Sequence, residues 1–170
     1  HDADKVPDGR VHLLIDAAMA VGTGHHGTTK GCLEAFDQLL KDGFAGEAIL
    51  DVGCGTAVLA MAAVKLLPAT VIASDIDPVA VEVAEANIIG NDLRDRVQCH
   101  VAAGFDAPAL SANSPYDLIY ENLRQGPLIA LAPEMARHVK DGGWVILAGI
   151  LRVRAAESDT ADQRSGWEVG

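Results

Sequence analysis

The sequence is poor in aromatic residues, at 4% of 170, poorer in cationic than in anionic side chains, and without a long apolar run. Each shortage closes off a class of protein. With no uninterrupted apolar stretch of roughly 18 residues there is no candidate membrane helix, and the N-terminal stretch lacks the apolar centre of a secretion signal. Thirteen basic against 24 acidic residues leave a formal charge of -11, so the field of the whole molecule repels a phosphate backbone and direct nucleic-acid binding is not expected. An acidic surface suits a basic protein substrate, although it commonly does no more than keep a chain in solution. Cysteine is limited to Cys32, Cys54 and Cys99, none in a CxxC pair. That pattern argues against a disulfide framework or a zinc site, and for a reducing, cytoplasmic setting.

What remains is a globular composition, 49% apolar and 22% charged, in a chain of single-domain length. Ala, Val, Leu and Ile dominate the apolar share, as in a sheet buried between helices. After polar His1–Arg10, the run Val11–Ile15 reads as a short strand or docking segment and 21–27 as a glycine-rich loop. Thr28 or Thr29 then caps an amphipathic helix that places Cys32, Leu33, Phe36, Leu39 and Leu40 on one face, ended by Gly43. Strands are expected at Ala48–Val52, Thr70–Ser74, Val97–Val101, Tyr116–Tyr120 and Trp144–Ile150. Helices are expected at Val58–Leu67, Pro78–Ile89 and Leu128–Val139, the last closed by Asp141-Gly142-Gly143.

Repeated β-α-β units predict an α/β, Rossmann-like, doubly wound and mainly parallel sheet. The tail is polar, and only Trp167 and Val169 look able to pack, so the C-terminal strands are expected to be incomplete. The expected division is a lead-in segment with its glycine and histidine loop at 1–28, a folded domain at 29–155, and a tail at 156–170.

The strongest local pattern is Ile49-Leu50-Asp51-Val52-Gly53-Cys54-Gly55. A buried strand running into Asp-x-Gly-x-Gly lets the backbone turn sharply and approach a ligand closely, because Gly53 and Gly55 carry no side chain. A second carboxylate, Asp75, ends the next expected strand and is placed to accept hydrogen bonds from the hydroxyls of a ribose. The two acids together describe a nucleoside site. A dinucleotide fingerprint asks for a small residue where Val58 stands, and Asp51 at the mouth of the turn repels phosphate. The same carboxylate suits the ammonium of an amino-acid-bearing nucleoside such as S-adenosylmethionine. Other conspicuous residues read as structural: Asp77 as the cap of the helix opened by Pro78, Cys54 as a small filler, His25 as a loop-shaping hydrogen bonder and Trp144 as the start of a buried strand.

Several segments resemble the family of methyltransferases that modify ribosomal large-subunit protein eleven. They are Ile15–Thr29 with its Gly-Thr-Gly-His-His-Gly-Thr-Thr loop, Ile49–Leu59, Ser74–Pro78, and Asn122-Leu123 with Gly126-Pro127-Leu128. Leu131-Ala132-Pro133 and the stretch from Gly142-Gly143 to Gly149-Ile150-Leu151 complete the set. The resemblance implies a class I methyltransferase domain that uses S-adenosylmethionine, behind an upstream domain that recognises the ribosomal protein. This chain is accordingly expected to be the catalytic core. The resemblance further implies that Thr29, Gly53, Asp75 and Asn122 contact the cofactor, with His26 and Asn122 bordering the transferable methyl. Three positions depart from the family: Val21 stands in place of an aromatic residue, Glu121 in place of a small apolar one, and Arg124 in place of an apolar or aromatic one.

Methyl transfer from a sulfonium is an in-line displacement that needs neither metal nor covalent enzyme intermediate, so positioning carries the catalysis. A lysine acceptor must first lose a proton, at a cost of roughly 4–5 kcal/mol at neutral pH from its pKa of about 10.4. Burial lowers that cost by disfavouring the ammonium, and the Asn122 amide serves to orient the freed lone pair rather than to take the proton. An imidazole can change charge near neutrality, so His26 is a candidate to act as a base or to hold a substrate group. The expected reaction is methylation of an amine on a basic ribosomal protein. A small-molecule methyltransferase and a nucleoside-binding domain without catalysis are the alternatives the residues leave open.

Overall fold

The computed structural model describes residues 26–122, 128–147, 151–155 and 167–169. The expected strand Val11–Ile15 and the glycine-rich loop up to His25 lie outside them. Helix α1 (His26–Lys41) leads into β1 (Ala48–Val52), α2 (Val58–Leu66), β2 (Thr70–Asp75), α3 (Pro78–Gly90) and β3 (Val97–Val101). The short helix α4 (Pro108–Ala112), β4 (Tyr116–Glu121), α5 (Leu128–His138), β5 (Val139–Leu147), β6 (Leu151–Ala155) and β7 (Trp167–Val169) follow.

The strands form one sheet in the order β3-β2-β1-β4-β5-β6-β7. Pairing is parallel from β3 through β5 and antiparallel at β6 and β7. The chain builds outward from β1 through β2 to β3, then returns to lay β4 on the other side of β1. That reversal opens a crevice at the carboxyl ends of β1 and β4, where open α/β sheets bind their ligands. The fold therefore nominates a place for chemistry before any side chain is considered.

Side-chain alternation along the central strands explains why both faces are covered. Ile49, Val71, Leu118 and Tyr120 point into one apolar cluster with Cys32, Phe36 and Leu39 of α1 and Leu59, Met61 and Val64 of α2. Leu50, Val52, Ile72 and Ile119 point into the other, against Leu110 of α4 and Met135 of α5. The loop from α2 into β2 is pinned by Arg96, whose guanidinium donates to the carbonyls of Val64, Leu67 and Ala69 at 2.6–3.1 Å. A charged donor of this kind is worth more than a neutral one, and here it satisfies the carbonyls that the end of α2 leaves open.

Several element boundaries differ from the sequence expectation. Helix α1 begins at His26, so Thr28 and Thr29 lie within its first turn and neither caps it, and the expected lead-in division at 1–28 runs into the helix. The small propensity cost of threonine there is outweighed by the buried face of Cys32, Phe36 and Leu39. Strand β5 starts at Val139 rather than Trp144, because Asp141-Gly142-Gly143 forms an irregularity inside a strand where a helix-ending turn was expected. Tyr116 pairs with Val139 and Leu118 with Trp144, leaving Asp117 opposite the intervening residues. Glycine is required at 143: a Cβ there would lie 2.8 Å from Val139 Cγ2 and 2.9 Å from the Lys140 carbonyl. Helix α4, opened by Pro108, was not anticipated. The closing strands expected to be incomplete are present as β6 and β7, which need no crossover helix because they run antiparallel.

Candidate active site

The turn after β1 is built on left-handed backbone at alternate positions: Gly53 at φ 78°, Gly55 at φ 51° and Ala57 at φ 66°. The amides of Gly53 and Cys54 both donate to the Ser74 carbonyl, at 2.8 and 2.9 Å, which ties the turn to the end of β2. Ala57 holds an angle that costs an L-residue about 1–2 kcal/mol, and its fully buried methyl in the core offsets much of that. At Gly55 a Cβ would meet no protein atom within 4 Å. The space above it is open, as a ligand lying against the backbone requires.

Asp75 sits at the end of β2 with its carboxylate split between two amides. Oδ2 accepts from Gly55 N–H and Oδ1 from Asp77 N–H, each at 3.0 Å. Each oxygen keeps a further acceptor site, and the residue is only half-buried, so the carboxylate can still accept from paired hydroxyls. Asp77 caps α3 as expected, accepting from Val79 N–H at 2.9 Å. Asn122 follows β4 directly and donates its backbone N–H to the Val52 carbonyl at 3.0 Å. That bond carries the β1–β4 ladder one residue further and sets Asn122 beside the Gly53 turn.

Asp51 is the unusual member. It is fully buried, and neither carboxylate oxygen has a hydrogen-bond partner among the described residues. Burial first, and the Asp75 charge second, push its carboxyl up to about 7, while the Ala60 N–H opposes the shift without closing a hydrogen bond. The Tyr120 hydroxyl on the neighbouring strand is likewise buried and without a partner among the described residues. A cationic group brought in by a ligand would satisfy what the protein leaves unsatisfied at this point.

Of the residues singled out from the sequence, Asp51, Gly53, Gly55, Asp75 and Asn122 therefore gather at the carboxyl ends of β1, β2 and β4. Thr29 is half-buried in the first turn of α1; one turn further on, Cys32 packs into the cluster that holds Tyr120. His26 opens α1, and its side chain lies outside the described residues, as do Val21, His25, Leu123 and Arg124. Cys54 behaves as the filler it was read to be, its thiol buried and raised well above the ordinary range by the neighbouring Cys99 thiol, by burial and by both aspartates. Glu121 is buried at 2% exposure on the opposite face of the sheet from Asp51. Trp144 is only half-buried and lies within β5, not at its start. No cluster suited to a metal ion occurs among the described residues. The hollow of about 290 Å³ between α3 and β3, lined by Glu85, Ile88, Ile89, Arg94, Val97 and Cys99, contains none of the candidate residues.

A family model described as ribosomal protein L11 methyltransferase matches residues 1–170. A ribosomal protein L11 methyltransferase of Brucella suis is 45% identical over 151 residues, covering 89% of this chain and 53% of that protein. Its counterpart from Rhizobium leguminosarum is 47% identical over 151 residues, 89% of this chain and 51% of that protein. The chain thus spans about half the length of the curated relatives it matches. Among solved structures, a ribosomal protein L11 methylase from Lactobacillus delbrueckii superposes with a TM-score of 0.63 at 27% identity, over 73% of this chain and 60% of that one.

The Asp51 carboxyl dictates a pH dependence of stability. Its carboxyl, pushed up to about 7, lies well above a free carboxyl, so its contribution to stability is fully present below about pH 4 and is lost as pH rises to 7. Replacing Asp51 by Asn removes that titration. In urea unfolding of the ligand-free protein, the stability of Asp51→Asn relative to wild type should rise by about 2–3 kcal/mol between pH 5 and pH 8. A gap that stays constant over that range would mean that Asp51 titrates as an ordinary surface carboxylate.

Proposed function

The chain belongs to the ribosomal protein L11 methyltransferase family, and from that membership and the geometry of the site we propose that it carries the catalytic half of an S-adenosylmethionine-dependent protein N-methyltransferase. The doubly wound sheet is that of class I methyltransferases, as the sequence led us to expect. The observation that carries the reading is the pair of acids at adjacent strand tips, one without partners and one with acceptor capacity to spare. Asp51 is suited to the cofactor's ammonium and Asp75 to its ribose hydroxyls, with Gly53 and Gly55 letting the backbone lie against the nucleoside. S-adenosylmethionine, when bound, supplies an electrophilic methyl on a sulfonium.

The chain's own residues then position and desolvate. Asn122, held beside the turn by its bond to Val52, presents an amide that orients the lone pair of an incoming amine; being non-titrating, it takes no proton. The family resemblance assigns Thr29 to the cofactor and gives His26 the role of base. The acceptor is an amine of ribosomal protein L11, a basic partner for a chain of formal charge -11. No helix among the described residues is long and apolar enough to cross a membrane, which is compatible with a cytoplasmic substrate.

Methyl transfer from radiolabelled S-adenosylmethionine tests the reading, with ribosomal protein L11 offered beside a small-molecule extract. Label in the ribosomal protein is expected, and label confined to small molecules would replace the acceptor while keeping the chemistry. Asp75→Ala should weaken S-adenosylmethionine binding by about 1.5–3 kcal/mol in calorimetry, and an unchanged affinity would remove the ribose assignment. Asn122→Ala should lower turnover more than cofactor affinity; the reverse would make Asn122 a binding residue only.

A further inference from the structure

Tyr116 and Tyr120 lie on the same strand, and the contrast between them is informative. The Tyr116 hydroxyl donates to the Leu110 carbonyl at 2.7 Å, as a buried structural tyrosine should. Tyr120 is as deeply buried, yet its hydroxyl has no partner among the described residues. Its ring is fixed edge-on against Phe36 of α1, with centroids 6.0 Å apart and planes at 69°. In the parallel ladder Tyr120 is the register partner of Asp51, and the two side chains point to the same face of the sheet. Two fully buried polar groups at register-paired positions, both without a partner among the described residues, are suited to a polar group brought in by a ligand.

We propose that Tyr120 is a positioning residue for the amino-acid end of the cofactor, its hydroxyl accepting one N–H of the ammonium while donating to the Asp51 carboxylate. A phenol can do both at once, which neither Phe nor a strand aliphatic can. Burial first, then the Asp51 charge and Cys32, raise the Tyr120 phenol well above its ordinary value, so the hydroxyl keeps the proton it donates. Asp51 supplies charge, and Tyr120 fixes the direction from which the ammonium approaches it. The inference rests on the cofactor reading above.

The test compares two nucleosides by calorimetry on the whole chain: S-adenosylhomocysteine, which carries the amino-acid end, and 5′-methylthioadenosine, which lacks it. Tyr120→Phe, isosteric apart from an unsatisfied hydroxyl, should melt no lower than wild type. It should bind S-adenosylhomocysteine about ten-fold more weakly, in line with loss of a charge-assisted hydrogen bond, and leave 5′-methylthioadenosine within two-fold. Asp51→Asn serves as the reference. If Asp51→Asn discriminates between the nucleosides and Tyr120→Phe does not, the role of Tyr120 is overturned while the ammonium site stands. Should neither variant discriminate, the ammonium site itself fails. Equal weakening of both nucleosides by Tyr120→Phe would make the residue structural and also overturn the proposal.

Discussion

A carboxylate buried at the tip of the central strand, with no hydrogen bond among the described residues, is the constraint around which the rest of this site is arranged. Leaving Asp51 ionised and unpaired in the ligand-free protein costs on the order of 4 kcal/mol at neutral pH, from the distance between its raised pKa and that of a free carboxyl. A fold whose net stability is only about 5–15 kcal/mol does not carry such a burden at a position where Ala or Val would pack. The sheet around it is regular, the helices on both faces are filled, and the neighbouring Asp75, by contrast, has its oxygens occupied by amides. Among the described residues, the Asp51 oxygens and the Tyr120 hydroxyl lack a partner where the strand order reverses, and Ser74 Oγ and His100 Nε2 lack one on β2 and β3.

That location ties fold to function through topology. Parallel strands bring successive carboxyl ends to one edge, so Asp51, Asp75 and Asn122, far apart in the sequence, meet without a dedicated scaffold. The left-handed backbone at Gly53 and Gly55 then keeps side chains out of the crevice between them. Arg96 and the bonds from the turn to Ser74 hold β2 and the turn in fixed relation. Positioning on this rigid edge is what a displacement reaction with no covalent intermediate asks of its catalyst.

Much of this was legible in the sequence. Strands β1 to β4 fall within a residue of their expected bounds, and for the central β1 and β2 the signal is a short, mainly apolar run of the kind buried parallel strands carry. The Asp-x-Gly-x-Gly turn and the following acid pointed to the strand ends where the structure brings Asp51, Gly55 and Asp75 together. Asp141-Gly142-Gly143 misled, since glycines that end a helix and glycines that let a strand bulge past Asp117 look alike in one dimension. Helix α4 is a single turn with little periodicity to detect. Tyr120 went unremarked because a tyrosine within an apolar strand reads as core; its register with Asp51 was implicit in the alternation, but its orphaned hydroxyl is visible only in three dimensions.

The central claim is that the buried acid exchanges a proton for a ligand's ammonium. It is tested most directly by titrating S-adenosylhomocysteine into the protein at pH 6.5, in buffers of differing ionisation enthalpy. Asp51 is largely protonated in the free protein at that pH, so the account predicts net release of more than half a proton per ligand bound, abolished in Asp51→Asn. Binding with no proton released, or with the same release from the Asn variant, would contradict it.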